Sequence, residues 1–109
     1  MVKQGTIIKI NFNPQSGHEQ AGYRPAIVIS NDIFNEKTKL SIVCPITNTD
    51  NNFPLHVSLD ERTKTTGVIL CEHIRALDLE SRTYQEVEKV PKDILNHVID
   101  IVYAEIEEL

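Results

Sequence analysis

The strongest constraint on the fold is a change of hydrophobic period at Pro91. Before it, apolar residues come in short, β-branched runs. In "IIKINF" (7–12), Ile8, Ile10 and Phe12 share one face while Ile7, Lys9 and Asn11 share the other, the alternation of a half-buried strand. "PAIVIS" (25–30) and "LSIVCPIT" (40–47) read as well-buried strands, "FPLHVSL" (53–59) alternates again, and "GVILCEHIRAL" (67–77) reads as one longer strand. "EVEKV" (86–90) is a last short strand, and "NDIFNEKTK" (31–39) is a turn or one short helix. After Pro91 the period becomes helical: Leu95, Val98, Ile99, Val102, Ile106 and Leu109 recur on one face. Pro91 is tolerated in a first turn, and Asp93 suits the positive end of the helix dipole. The expectation is a small antiparallel barrel or sandwich packed against one C-terminal helix.

With 109 residues the chain is expected to form one domain, residues 1–109, with a single core. No apolar run approaches the roughly 20 residues that cross a bilayer, and "MVKQGTIIKI" carries no secretion signal. Cys44 and Cys71 each lie inside an apolar run and are expected to be buried, reduced thiols, which points to the cytoplasm. There is no P-loop, dinucleotide fingerprint, HExxH or CxxC, and His18, His56, His73 and His97 lack ligand spacing, so neither metal nor cofactor is expected. His56 and His97 read as surface or helix-face residues. The net charge of −5 weighs against a nucleic-acid binder, because phosphate is contacted largely by Lys and Arg. It does not fix the local field, and a local cationic groove stays open.

The connection between the first two strands is longer and more polar than a hairpin needs, with Gln15, His18, Glu19, Gln20, Tyr23 and Arg24 crowded into it. Arg24 precedes Pro25, which biases its backbone toward an extended form. Its planar guanidinium matches the oxygens of a phosphate and stays charged. A strand-entry arginine paired with Glu19 or another carboxylate has the same local signature. Thr47 ends "SIVCPIT" and is either an ordinary turn residue or a hydroxyl donor to a developing oxyanion. Glu19 is either a general base or the partner of Arg24. Glu72 and His73 interrupt an apolar run, so one of them is expected to face a cleft, while Arg75 and Asp78 suit a structural ion pair.

The stretch "GTIIKINFNPQSGHEQAGYRPAIVISND" resembles the N-terminal signature of the MazF/PemK family of toxin endoribonucleases. The matching positions are Gly5, Pro14, Gly17, Glu19, Gln20, Gly22, Arg24 and Pro25, followed by Ser30, Asn31 and Asp32. "VCPIT" and "GVILCEHIRALD" resemble the family's later strands in the same order, and the C-terminal helix matches too. The resemblance implies a homodimer of SH3-like barrels that cleaves single-stranded RNA at a short sequence, without metal. In the family the ribose 2′-hydroxyl attacks the adjacent phosphorus, leaving a 2′,3′-cyclic phosphate and a 5′-hydroxyl. It further implies an RNA groove at the dimer interface, flanked by residues 13–23, and a cognate antitoxin protein that folds a disordered segment over it.

Carried over by position, Arg24 and Thr47 are the catalytic pair, and Glu19 orients Arg24 or contacts RNA. Gln20, Asn31, Glu72 and His73 match positions that touch nucleotides. His73 stands where many relatives have glutamine, and His18 where a small polar residue is common, so both bear on RNA preference and bring groups that titrate near pH 6.5. The same barrel also serves toxins that poison DNA gyrase without catalysis, and a degenerate RNA-binding relative would share it as well. The Arg24/Thr47 pair favours the enzyme.

Overall fold

A computed structural model of the chain describes residues 1–13, 17, 22–50 and 52–109. Seven strands, β1 (Thr6–Asn11), β2 (Tyr23–Val28), β3 (Ser41–Thr47), β4 (His56–Ser58), β5 (Val68–Leu70), β6 (Arg75–Leu77) and β7 (Tyr84–Lys89), are joined by helix α1 (Asp32–Thr38) and a 3₁₀ turn (Leu79–Ser81). Helix α2 (Lys92–Ile106) ends the fold. The sheet runs β4-β5-β3-β2-β1-β7, with β6 also paired to β3, and every ladder is antiparallel. Because β6 leads through the 3₁₀ turn into β7, and β7 pairs with β1, the sheet curls round into the expected small barrel.

Strand alternation sorts the apolar residues into two clusters on either side of the sheet. Ile8, Ile10, Phe12, Ala26, Val28 and Val43 pack together as one, joined by Leu77 and Leu79. Ile7, Ile27, Cys44, Ile46 and Ile69 form the other, and α2 covers it with Ile94, Leu95 and Val98. Ile7 is therefore as fully buried as its neighbours on the opposite face, and only Lys9 and Asn11 of β1 reach solvent. Each fully buried Ile or Val contributes about 1.5–3 kcal/mol of transfer free energy.

Both helices begin where the sequence suggested, for separate reasons. Asn31 caps α1, its side-chain oxygen accepting the N–H of Phe34 at 2.8 Å. Asn35, fully buried on α1, donates to the carbonyls of Val2 (3.1 Å) and Ser30 (3.2 Å), which seals the helix onto the barrel end. Pro91 is the N-cap of α2 itself, with no side-chain capping bond, and the first turn holds Asp93. Arg62 grips that carboxylate with both terminal nitrogens at 2.8 and 2.9 Å while also bonding Asp60. The end of α2 departs from the expected stripe: Ile106 is 71% exposed, and Leu109 lies beyond the helix in solvent.

Two readings of the later strands need correction. "FPLHVSL" contributes only the three-residue β4. "GVILCEHIRAL" is not one strand but β5 and β6, because β3 pairs with both in different registers. Between Ile46↔Ile69 and Val43↔Arg75, residues 70–74 stand across from Cys44 and Pro45 alone. The surplus residues bulge out of the ladder, and such bulges re-aim side chains. Here they place Glu72 and His73 on a turn beside β4, where Glu72 meets His56.

Candidate active site

Arg24 and Thr47 lie 23 positions apart in sequence but at the same end of adjacent strands. The β2–β3 ladder pairs Val28 with Val43, Ile27 with Cys44 and Ala26 with Pro45. Continued two places further, that register sets Arg24 across from Thr47, on the same face. Arg24 is exposed and Thr47 half-buried. Thr47 Oγ1 accepts the N–H of Thr49 at 3.2 Å, so its own proton stays available for donation.

The surroundings hold both strand ends firmly. On the β2 side, Gly22 N–H donates to Asn13 Oδ1 at 3.0 Å and Phe12 N–H to the Gly22 carbonyl at 2.8 Å. Arg82 donates to the carbonyls of Asn11 (2.9 Å) and Asn13 (3.1 Å). Arg75 donates to the Phe12 carbonyl at 3.2 Å with its guanidinium 5.8 Å from the Phe12 ring centre. The expected Arg75–Asp78 ion pair is absent, since Asp78 instead caps the 3₁₀ turn through the Glu80 N–H. On the β3 side, Gly67 packs directly on the Thr47 carbonyl in a backbone conformation (φ +115°) that side-chain-bearing residues rarely adopt. Thr66 donates to Asn48 Oδ1 at 2.9 Å. Glu88 of β7 fixes the loop before Gly67, accepting from Lys64 N (3.1 Å), Thr65 N (2.8 Å) and Thr65 Oγ1 (2.8 Å). Burial raises that carboxyl's pKa, but the bonds from Thr65 and Lys64 outweigh it and leave Glu88 below the usual range.

Beside this pair lies a cavity of about 410 Å³, bounded by Lys9, Pro25, Asn48, Lys64, Thr65 and Thr66. Pro25 pairs with Lys9 across β1–β2 whereas Arg24 pairs with Ile10, so the cavity and its lysines open on the face of the sheet opposite the Arg24 side chain. Composition could not reveal that Lys9 and Lys64 line one cavity, because they lie far apart in sequence.

The other candidates divide. Glu72 and His73 sit on the bulged turn after β5, each with a side chain 26% exposed, and His73 Nε2 is 3.8 Å from Glu72 Oε2. Asn31 is exposed, but its Oδ1 is committed to capping α1. Glu19, Gln20 and His18 lie outside the described residues. Cys44 and Cys71 are free and buried. Burial pushes both thiols up, Cys71 to about 12. Among the described residues no cluster of three or more His, Cys, Asp or Glu side chains is arranged to hold a metal ion, and no helix is long and apolar enough to cross a membrane.

His56 overturns its expected place on the surface, whereas His97 is exposed as expected. The His56 side chain is only 7% exposed, wedged between Asp50 and Glu72. Alternation in "FPLHVSL" does not reveal this, because both partners come from other segments.

The sequence model of the PemK-like, MazF-like toxins of type II toxin–antitoxin systems matches residues 3–104. Endoribonuclease PemK of Escherichia coli is 35% identical over 102 residues, covering 90% of this chain and 77% of its own. Endoribonuclease toxin MazF of Escherichia coli K12 is 33% identical over 78 residues, covering 72% and 69%. The crystal structure of MazF from Deinococcus radiodurans is similar with a TM-score of 0.89 at 36% identity, covering 95% of this chain and 94% of that one. A MazE–MazF crystal structure from the same organism is similar with a TM-score of 0.83 at 33% identity, over the same shares. A match across nearly the whole length, in sequence and in fold, places this chain in the PemK-like, MazF-like family of type II toxin–antitoxin toxins.

Proposed function

We propose that this chain is the toxin of a type II toxin–antitoxin system and a sequence-specific endoribonuclease acting on single-stranded RNA, mRNA included, without metal. The observation that supports the reading is the β2–β3 ladder, whose register, continued two places past Ala26↔Pro45, sets Arg24 across from Thr47. The 2′-hydroxyl of one nucleotide attacks the adjacent phosphorus, its proton passes to a base, and the 5′-oxygen of the next nucleotide leaves with a proton. The products are a 2′,3′-cyclic phosphate and a 5′-hydroxyl. Charge accumulates on the nonbridging oxygens, where a planar guanidinium offers paired donors and a hydroxyl a further one. Removing one such preorganised donor costs on the order of 10²–10³ in rate. Glu19 orients Arg24 or contacts RNA in this reading, a role carried over from the family motif.

Splayed bases are read through hydrogen bonds at their edges, a task for the amide and carboxylate groups of Gln20, Asn31 and Glu72, with His73 and His18 setting the preference. We assign the homodimer to the apolar groove of about 300 Å³ between α2 and the sheet, lined by the partly buried Ile42, Ile74 and Val102 and by the exposed Tyr103 and Ile106. A cognate antitoxin is the expected inhibitor, in keeping with the MazE–MazF complexes to which the fold is similar. Two free, buried thiols suit a reducing cytoplasm.

The test is to incubate purified protein and its Arg24→Ala and Arg24→Lys variants with a long RNA and map the cut sites. Cuts at one recurrent short sequence, lost in Arg24→Ala and strongly reduced in Arg24→Lys, support the reading. Full activity in Arg24→Lys contradicts the fork argument, since lysine keeps the charge and loses only the geometry. Uncut RNA together with gyrase inhibition contradicts the enzymatic reading altogether.

A further inference from the structure

We infer that His56 is a positioning residue that ties the loop following Thr47 to the turn carrying Glu72 and His73, and thereby sets how sharply the protein discriminates between RNA sequences. This rests on the endoribonuclease reading above. His56 Nδ1 lies 3.1 Å from Asp50 Oδ1, and Nε2 lies 2.9 Å from Glu72 Oε2. Asp50 stands three residues after Thr47 in a loop whose start is already folded by the Thr49–Thr47 bond. The same Asp50 oxygen takes the N–H of Asn52 at 2.9 Å. Phe53, 45% exposed, stands edge-on to the imidazole with ring centres 5.5 Å apart.

On the other side, His56 pairs with Leu70 in the β4–β5 ladder, two residues before Glu72. Glu72 Oε1 is buried and takes no hydrogen bond among the described residues, so His56 is the anchor of that carboxylate. The surplus residues of the β5–β6 bulge have no ladder to fix them; a side-chain tether substitutes for it.

Both ring nitrogens face carboxylate oxygens, which only the doubly protonated imidazolium satisfies, because neutral imidazole has a single N–H. The charged groups facing His56 are Asp50 from the β3–β4 loop and Glu72 from the turn after β5. His73 adjoins Glu72 on that turn, and Glu105 of α2 feels the Glu72 charge. Burial pushes the His56 pKa down, but the bonds to Glu72 and Asp50 outweigh it and raise it above the ordinary value. The hydrogen bond to His56 is the main force holding Asp50 low. With the histidine raised, its contribution is full below about pH 6.5 and is lost as pH climbs through the folded value. With the aspartate depressed, its contribution is present above the ordinary aspartate range and fades as pH falls through the lowered value. The bridge is therefore closed in weak acid and opens as pH climbs through the raised His56 value, where Asp50, partly exposed, rehydrates.

The experiment uses two RNAs cut at the same position and differing in one flanking nucleotide, with kcat/KM measured for each from pH 6 to pH 9. Their ratio cancels the chemistry common to both. In the wild type the ratio falls as pH rises through the His56 titration. In a background carrying His18→Gln and His73→Gln, which leaves His56 as the imidazole under test, His56→Gln makes the ratio about tenfold lower at acidic pH and flat with pH, as expected for a site loosened by a fraction of an ångström. Asp50→Asn, an exposed change that leaves the barrel core intact, also flattens the profile. A pH-independent wild-type ratio, or a His56→Gln protein with its parent's ratio and profile, overturns the inference while leaving the endoribonuclease reading standing. Failure of the wild type to cut any RNA defeats that reading, and this role with it.

Discussion

Gly67→Ala tests the placement of Thr47 without touching Thr47. A Cβ at Gly67 falls 2.3 Å from the Thr47 carbonyl oxygen and 2.8 Å from its carbon, where ordinary contact begins at 3.4 Å. Relief requires one of the two backbones to retreat by about 1 Å, and a 1 Å error in placing a catalytic group is worth on the order of 10² in rate. The φ of +115° adds strain for any residue with a side chain. Strain and overpacking together cost roughly 2–4 kcal/mol, or a Tm lowered by roughly 10–20 °C in a chain of this size. The assay is cleavage of a fluorogenic RNA at 25 °C, with circular dichroism establishing that the variant is folded at that temperature. The expected result is a folded protein with kcat/KM down about a hundredfold. A folded variant that cleaves at the wild-type rate would refute the claim that the Thr47 end of β3 must be held in place.

Asn31→Ala removes the α1 cap and is expected to cost about 1 kcal/mol in chemical denaturation. A drop in kcat/KM well beyond what that destabilisation explains would mark an additional RNA contact. Cys44 and Cys71 are expected to resist a thiol reagent in the native state and to react completely in denaturant, because burial holds both as neutral thiols. Rapid native labelling would contradict their placement in the core. Ile106→Glu puts a charge into the exposed apolar end of α2 and is expected to convert a dimer to a monomer in sedimentation velocity. An unchanged dimer would move the interface elsewhere.

The fold was legible because each period in the sequence had one structural solution. Alternation in residues 7–12 made β1, and the 3.6-residue spacing after Pro91 made α2. What escaped detection depends on pairing at a distance. "GVILCEHIRAL" carries no local mark of its break, which arises because β3 accepts β5 at one end and β6 at the other. The end of α2 carries the same apolar spacing as its buried half, and only the packing leaves Ile106 uncovered. Arg24 and Thr47 were singled out by residue type and family motif, while their alignment needed the β2–β3 register. His56 was misread for the same reason, since nothing near it in sequence announces Asp50 and Glu72 as its partners. Lys9 and Lys64 meet only once the sheet has curled.

The most direct test of the account is a short RNA oligonucleotide containing the mapped cut site, assayed in EDTA beside the same oligonucleotide carrying a single 2′-deoxy substitution on the nucleotide 5′ to the scissile phosphate. The account predicts that the RNA is cut to a 2′,3′-cyclic phosphate and a 5′-hydroxyl, and that the deoxy version is bound and left intact. Cleavage of the deoxy oligonucleotide at a comparable rate, or loss of all cleavage in EDTA, would contradict it.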